Sequence, residues 1–127
     1  MLNKTGIKKE TYLSDTQILF AVEHQVSMGC VVNQNVGVNV AGKKIAKAGT
    51  PLAGNLDARE TAFTLANTDG TDAVGVLLHD VDVTVGDANG TILLFGFVNT
   101  NRIDDTTKGK LSEEVKKALP TIKFVAC

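Results

Sequence analysis

Short stretches of alternating or continuous apolar residues along the chain predict β-strands. Residues 30–40 place four valines mostly on one face, which is the two-residue period of a half-buried strand. Residues 73–78 are apolar throughout, as in a strand that is buried on both faces. Residues 80–85 alternate cleanly and predict a further strand, and residues 91–98 and 121–125 add two more.

Turn signals separate these stretches. The sequence Ala41-Gly42-Lys43-Lys44 predicts a hairpin turn, and Pro51 indicates the start or the edge of a strand. Asn67 to Gly70 is a second turn signal. The pair Asn89-Gly90 is the strongest, because both residues tolerate the positive φ of a type I′ hairpin, so the sequence predicts a hairpin there.

One helix is predicted near the C-terminus. Ser112 is a good N-cap, two glutamates follow it, and two lysines precede the stop at Pro120. Leu111, Val115 and Leu119 share a face that would dock on a sheet. With about six to eight short strands, the chain is predicted to be mainly β (α+β), a small β-barrel-like or β-clip-like domain with one short C-terminal helix.

The N-terminal segment differs from the rest of the chain. Residues 1–12 are polar and basic and have no periodicity, so they are expected to be disordered in isolation. The first apolar run covers residues 17–22. The predicted organisation is therefore an extended arm over residues 1–16 and a β domain over residues 17–127.

Charge gives a partial indication of partners. The net charge of −1 predicts neither a nucleic-acid nor a membrane partner. Residues 57–105 nevertheless carry nine acidic and two basic groups, whereas the segments on either side are net basic. This segregation suits self-association or docking on a charged protein surface, and solvated loops are the alternative explanation.

Candidate catalytic groups are few, and the chain is predicted not to be an enzyme. The two histidines are His24 and His79. His79 precedes Asp80, but neighbouring residues of a strand point to opposite faces and would not pair. Cys30 and Cys127 are expected to be free thiols in a reducing cytosol.

No cofactor or metal is expected either. Asp80, Asp82 and Asp87 suggest calcium at first, but the valines between them indicate a strand rather than a calcium-binding loop. The glycines match neither a phosphate-binding loop nor a dinucleotide fingerprint.

Several segments within residues 17–125 form a pattern through their order and spacing. They are Lys47–Leu52 (KAGTPL), Asp69–Leu77 (DGTDAVGVL), Leu78–Val83 (LHDVDV), Thr91–Val98 (TILLFGFV) and the ending Thr121–Val125 (TIKFV). Taken together, these segments resemble the lambda-type head decoration proteins of tailed bacteriophages.

The resemblance implies a structural protein on the exterior of the virion, made in the host cytoplasm. Such proteins trimerise on the expanded head, bind the major capsid protein and cement the shell against internal DNA pressure. The arm would add to a β-structure of the shell, with Leu2, Lys4, Ile7, Lys8, Lys9 and Tyr12 as its capsid-binding residues. This arm carries three lysines where arms of the family are often neutral, and the chain has no Trp, which some members have.

Two alternatives come from other classes. Residues 40–45 could form the hairpin of a lipoyl or biotin carrier, although the Lys flanked by acidic or Met residues that this class presents at its hairpin tip is absent. A small β-clip domain of an enzyme is the other alternative, because Gly-Thr-Pro-Leu steps occur there too.

Overall fold

The computed structural model of the protein describes residues 18–19, 25–58 and 60–126. Within these ranges the mainly β class and the short C-terminal helix are confirmed. The elements are β1 (Val26–Val32), β2 (Val38–Val40), β3 (Lys43–Ala46), β4 (Pro51–Ala53), β5 (Thr64–Leu65), β6 (Ala73–Leu77), β7 (Val81–Asp82), β8 (Ala88–Asn99), α1 (Asp105–Lys108), α2 (Glu113–Ala118) and β9 (Ile122–Val125).

The larger sheet has the antiparallel order β1-β8-β6-β4-β5, and β9 pairs in parallel with the end of β8. Among the described residues, one parallel bridge between Val32 and Phe63 links its two ends. The Phe63 N–H donates to the Val31 carbonyl at 2.7 Å, and the Asn33 N–H donates to the Phe63 carbonyl at 2.9 Å. The sheet is thus open, with ends that touch at one point.

Both faces of the larger sheet are buried where its central strands β6 and β8 pair, as the apolar run in β6 predicts. Val76 packs into one hydrophobic cluster and Leu77 into another, because successive side chains of a strand point to opposite faces. Leu93 and Ile92 of β8 divide between the same two clusters. The central strands therefore anchor two separate cores.

Each core has its own cover. The smaller sheet, in the order β2-β3-β7, contributes Ala46 and Val81 to the cluster around Leu77. On the other face the predicted apolar stripe of α2 is confirmed, since Leu111, Val115 and Leu119 are buried in the cluster around Val76.

Ser112 caps α2 as predicted and also ties it to a turn. Its Oγ accepts a hydrogen bond from the Val115 N–H at 3.2 Å and donates to the Thr68 carbonyl at 2.5 Å. A four-residue helix that the sequence analysis did not predict, α1, precedes it and is capped by the Asp104 side chain.

The single strand predicted for residues 30–40 is wrong. The chain breaks after β1 into a 3-10 turn at Gln34–Val36 before β2 begins. The Asn33 side chain accepts a hydrogen bond from the Asn35 N–H at 2.8 Å, which offers the backbone an alternative to the ladder.

The hairpin predicted at Asn89-Gly90 is also wrong, because both residues lie inside β8. A Cβ at Gly90 would lie 2.8 Å from the Val32 Cγ2 and 3.0 Å from the Val81 Cγ2, so glycine leaves room for side chains that pack over β8. The turn comes earlier, at residues 83–87.

Candidate interaction surface

The arm residues predicted to bind a capsid lie outside the described residues, as do His24, Cys127 and the predicted boundary at residue 16. Within the described chain the remaining candidates are His79, Cys30 and the three aspartates of residues 80–87. The structure assigns each of these to a definite environment.

Asp80 fastens two connections of the chain together. Its carboxylate accepts a hydrogen bond from the Ala48 N–H at 2.7 Å and pairs with the Lys47 Nζ at 3.6 Å. Both side chains of the ion pair are partly buried. His79 beside it is exposed, and both residues lie in the connection between β6 and β7 rather than on a strand. Asp80 therefore links the connection between β6 and β7 to the connection between β3 and β4, through Lys47 and Ala48.

Of the strand predicted for residues 80–85, only Val81 and Asp82 form a strand in the structure. The Thr84 hydroxyl donates to the Asp82 Oδ1 at 2.5 Å, and the Thr84 N–H donates to the same oxygen at 2.9 Å. These bonds fold the chain into a turn and hold the pKa of Asp82 below its ordinary value. Asp69 and Thr71 repeat the arrangement, and the pKa of Asp69 is lowered for the same reason.

The third aspartate is also engaged by the protein. The Asp87 Oδ1 accepts a hydrogen bond from the Gln34 N–H at 2.8 Å. No group of three His, Cys, Asp or Glu side chains within residues 18–19, 25–58 and 60–126 is arranged to hold a metal ion.

The turn that follows Asp82 presents an apolar tip. Val85 is 99% exposed, whereas the alternating pattern placed it on a half-buried strand. On one side of the turn the Thr84 hydroxyl accepts from the Lys44 N–H at 3.0 Å. On the other, the Gln34 side-chain amide donates to the Thr84 carbonyl at 3.1 Å. The tip is therefore exposed but firmly held.

The predicted hairpin turn is confirmed beside this tip, between β2 and β3. Ala41 and Gly42 form it with φ of 51° and 85°, so an alanine occupies the left-handed region that favours glycine. Lys43 follows these two turn residues, at the start of β3. The hairpin thus presents no lysine at the position where a carrier domain would need one.

A depression of about 410 Å³ lies between the outer edge of β1 and the loop that leads to β5. It is lined by Gly29, Cys30, Val31, Glu60, Asn89 and Gly90. The Cys30 side chain is buried, and the Glu60 carboxylate is exposed at the rim. A Cβ at Gly29 would meet nothing within 4 Å, so the missing side chain helps to leave the space open.

Sequence reasoning missed both the tip and the depression. The spacing Asp-x-Thr, present at Asp69–Thr71 and at Asp82–Thr84, is a signal for the turn, because a short acidic side chain can accept the N–H two residues on. No local pattern marks the depression, since residues from three distant segments line it.

No protein-family model matches the chain. No curated protein matches it either. In the part of the chain that the structure describes, no helix has the length and apolar character that crossing a membrane requires.

Proposed function

We propose that this protein is a structural decoration protein of the lambda type, which trimerises on an expanded phage head and cements it. The observation that carries the proposal is the ordered set of segments from Lys47 to Val125 that resembles this family. Its partner is the major capsid protein, its place is the exterior of the virion, and it performs no catalysis.

Several residues that carry the resemblance make contacts on which this fold depends, and this supports the proposal. Gly49 has φ of 96°, and a Cβ there would lie 2.9 Å from the Ile103 side chain. Gly70 has φ of 77° and sits against the backbone of α2. Asp80 joins two connections through Lys47 and Ala48. A match at such positions supports a shared architecture, on which the function of the family depends.

A decoration protein cements the shell when it binds the expanded head and does not bind the procapsid. A ligand stabilises the state it binds by RT ln(1 + [L]/Kd), about 2.7 kcal/mol per site at a hundredfold excess over Kd. The gain is repeated at every site, so a modest affinity gives a large total. Binding should therefore be selective for the expanded head.

The test is co-sedimentation of the purified protein with expanded heads and with procapsids of its phage. We expect binding to expanded heads only, saturation at three copies per three-fold position, and a disruption temperature that rises with occupancy. Equal binding to both particles would remove the basis for cementing, and binding to neither would overturn the proposed function.

A further inference from the structure

The Val85 tip is apolar where turn chemistry favours polar residues. Positions in tight turns are usually taken by Gly, Asn, Asp, Ser or Pro, and a fully exposed valine contributes no burial to the fold. The neighbouring hairpin repeats the departure, with Val40 exposed by 39% and Ala41 in the left-handed region. Local departures of this kind are expected where a surface serves binding.

The tip is also preorganised. The turn is tied to β3 through Lys44 and to the 3-10 turn through Gln34, on opposite sides of Thr84. A turn whose backbone is already held in place loses little conformational freedom when a partner covers it, so more of the burial energy is kept as affinity. Lys43, exposed beside the tip, helps to lower the pKa of Asp82 but has no carboxylate of a described residue within ion-pair distance.

The depression is shallow and open, and the charge at its rim is opposite to the charge beside the tip. Its volume of about 410 Å³ equals that of roughly a dozen water molecules, and a glycine without a side chain lies in its wall. Glu60 at the rim is exposed and forms no ion pair with any described residue. The chain therefore carries two surfaces of opposite charge. One is the exposed Val85 beside Lys43, and the other is the depression beside Glu60.

We propose that the Val85 tip of one copy inserts into the Gly29 depression of a second copy, with Lys43 of the first facing Glu60 of the second. The contact joins two different surfaces, and repetition by rotation closes such contacts into a ring. Asn89 in the depression is only four residues from Val85, at most about 14 Å along the chain. Both surfaces thus lie at the same end of the molecule, as contacts near a three-fold axis require. The inference rests on the proposed trimer and names the surfaces that build it.

The test is sedimentation equilibrium of the full chain from micromolar to millimolar concentration at low salt. The wild type should reach three times the 13.4 kDa mass of the chain. Val85→Asp should abolish association, because a carboxylate would enter the recess. Gly29→Val should weaken it at least about tenfold by filling the depression, although a Cβ at this position meets nothing within 4 Å in its own copy.

Charge exchange provides the sharpest comparison. Lys43→Glu and Glu60→Lys should each weaken association about tenfold, and the double variant should regain most of the loss because the opposite charges are restored. Leu65→Asp, at a residue that is 41% exposed on β5, is the control and should associate like the wild type. Circular dichroism checks that each variant is folded.

A wild type that stays monomeric, a Val85→Asp variant that associates normally, or a double variant without recovery would each overturn the contact. Sedimentation with expanded heads separates this failure from that of the proposed function. Head binding without the contact leaves the decoration function standing, whereas association without head binding supports the contact and overturns the decoration function.

Discussion

At the scale of single residues, two aspartates decide the course of the backbone. Asp82 and Asp69 each accept hydrogen bonds from the hydroxyl and the N–H of the threonine two residues later. The carboxylate accepts these bonds more strongly when it is ionised, so the pKa of each aspartate falls below 3.8. At Asp82 this bonding ends the strand and creates the tip.

Replacing Thr84 with Val should raise the pKa of Asp82 toward 3.8 without reaching it, because the hydroxyl bond is lost and the N–H bond remains. A lowered pKa in the folded state contributes stability above the pKa of the unfolded chain, and this contribution disappears as the pH falls through the folded value. The variant should therefore lose part of the pH dependence of unfolding below about pH 4.

The measurement is an NMR titration of the Asp82 carboxyl carbon, together with unfolding midpoints at several acidic pH values. Thr71→Val is the matched control, since it should raise the pKa of Asp69 and leave that of Asp82 unchanged. An Asp82 pKa that does not respond to Thr84→Val would show that the hydroxyl is not its cause.

At the scale of elements, the turn at Asn67–Gly70 and α2 fit together through a glycine and a cap. Ser112 donates to the Thr68 carbonyl, and Gly70 lies directly against the backbone of Glu114 and Val115 in the first turn of α2. The sequence signals for the turn and the cap were separately clear. Their mutual contact was not, because it joins residues more than forty positions apart.

Gly70→Ala should destabilise the protein by about 3 kcal/mol, from the left-handed backbone and from overpacking together. The φ of Gly70 is 77°, and a Cβ would lie 2.5 Å from the Glu114 carbonyl oxygen. Gly42→Ala is the control, because Gly42 has φ of 85° with nothing within 4 Å and should cost only about 1 kcal/mol. Urea unfolding measures both, and equal losses would mean that the contact with α2 contributes nothing.

At the scale of the whole molecule, strand β8 separates Leu19 from the Val85 tip. Leu19, the first bridged residue among those described, pairs with Val98 near the end of β8, whereas Val85 precedes the start of that strand. Twelve residues of β8 span about 40 Å. Leu19, which follows the predicted N-terminal arm, and the proposed contact between copies therefore lie at opposite ends of this strand.

Deletion of residues 1–12 should consequently abolish binding to expanded heads while leaving the melting temperature and the self-association of the domain nearly unchanged. The segment carries Lys4, Lys8 and Lys9, which would face acidic groups of the capsid. Sedimentation with heads and calorimetry of the truncated chain measure the two properties. Binding by the truncated protein at wild-type affinity would contradict a role for the arm.

The sequence by itself determined the β class, the doubly buried strand β6, the hairpin between β2 and β3, and α2 with its cap at Ser112. Each depends on a local period or on a side chain that bonds its own neighbours, and such signals lie within a few residues. Only the tertiary structure decided that Gly90 serves strand packing, that Val85 is exposed, and that Gly29 and Glu60 share a depression. These outcomes depend on contacts between distant segments. The residue type alone does not distinguish a glycine that leaves a space open from a glycine that a turn requires.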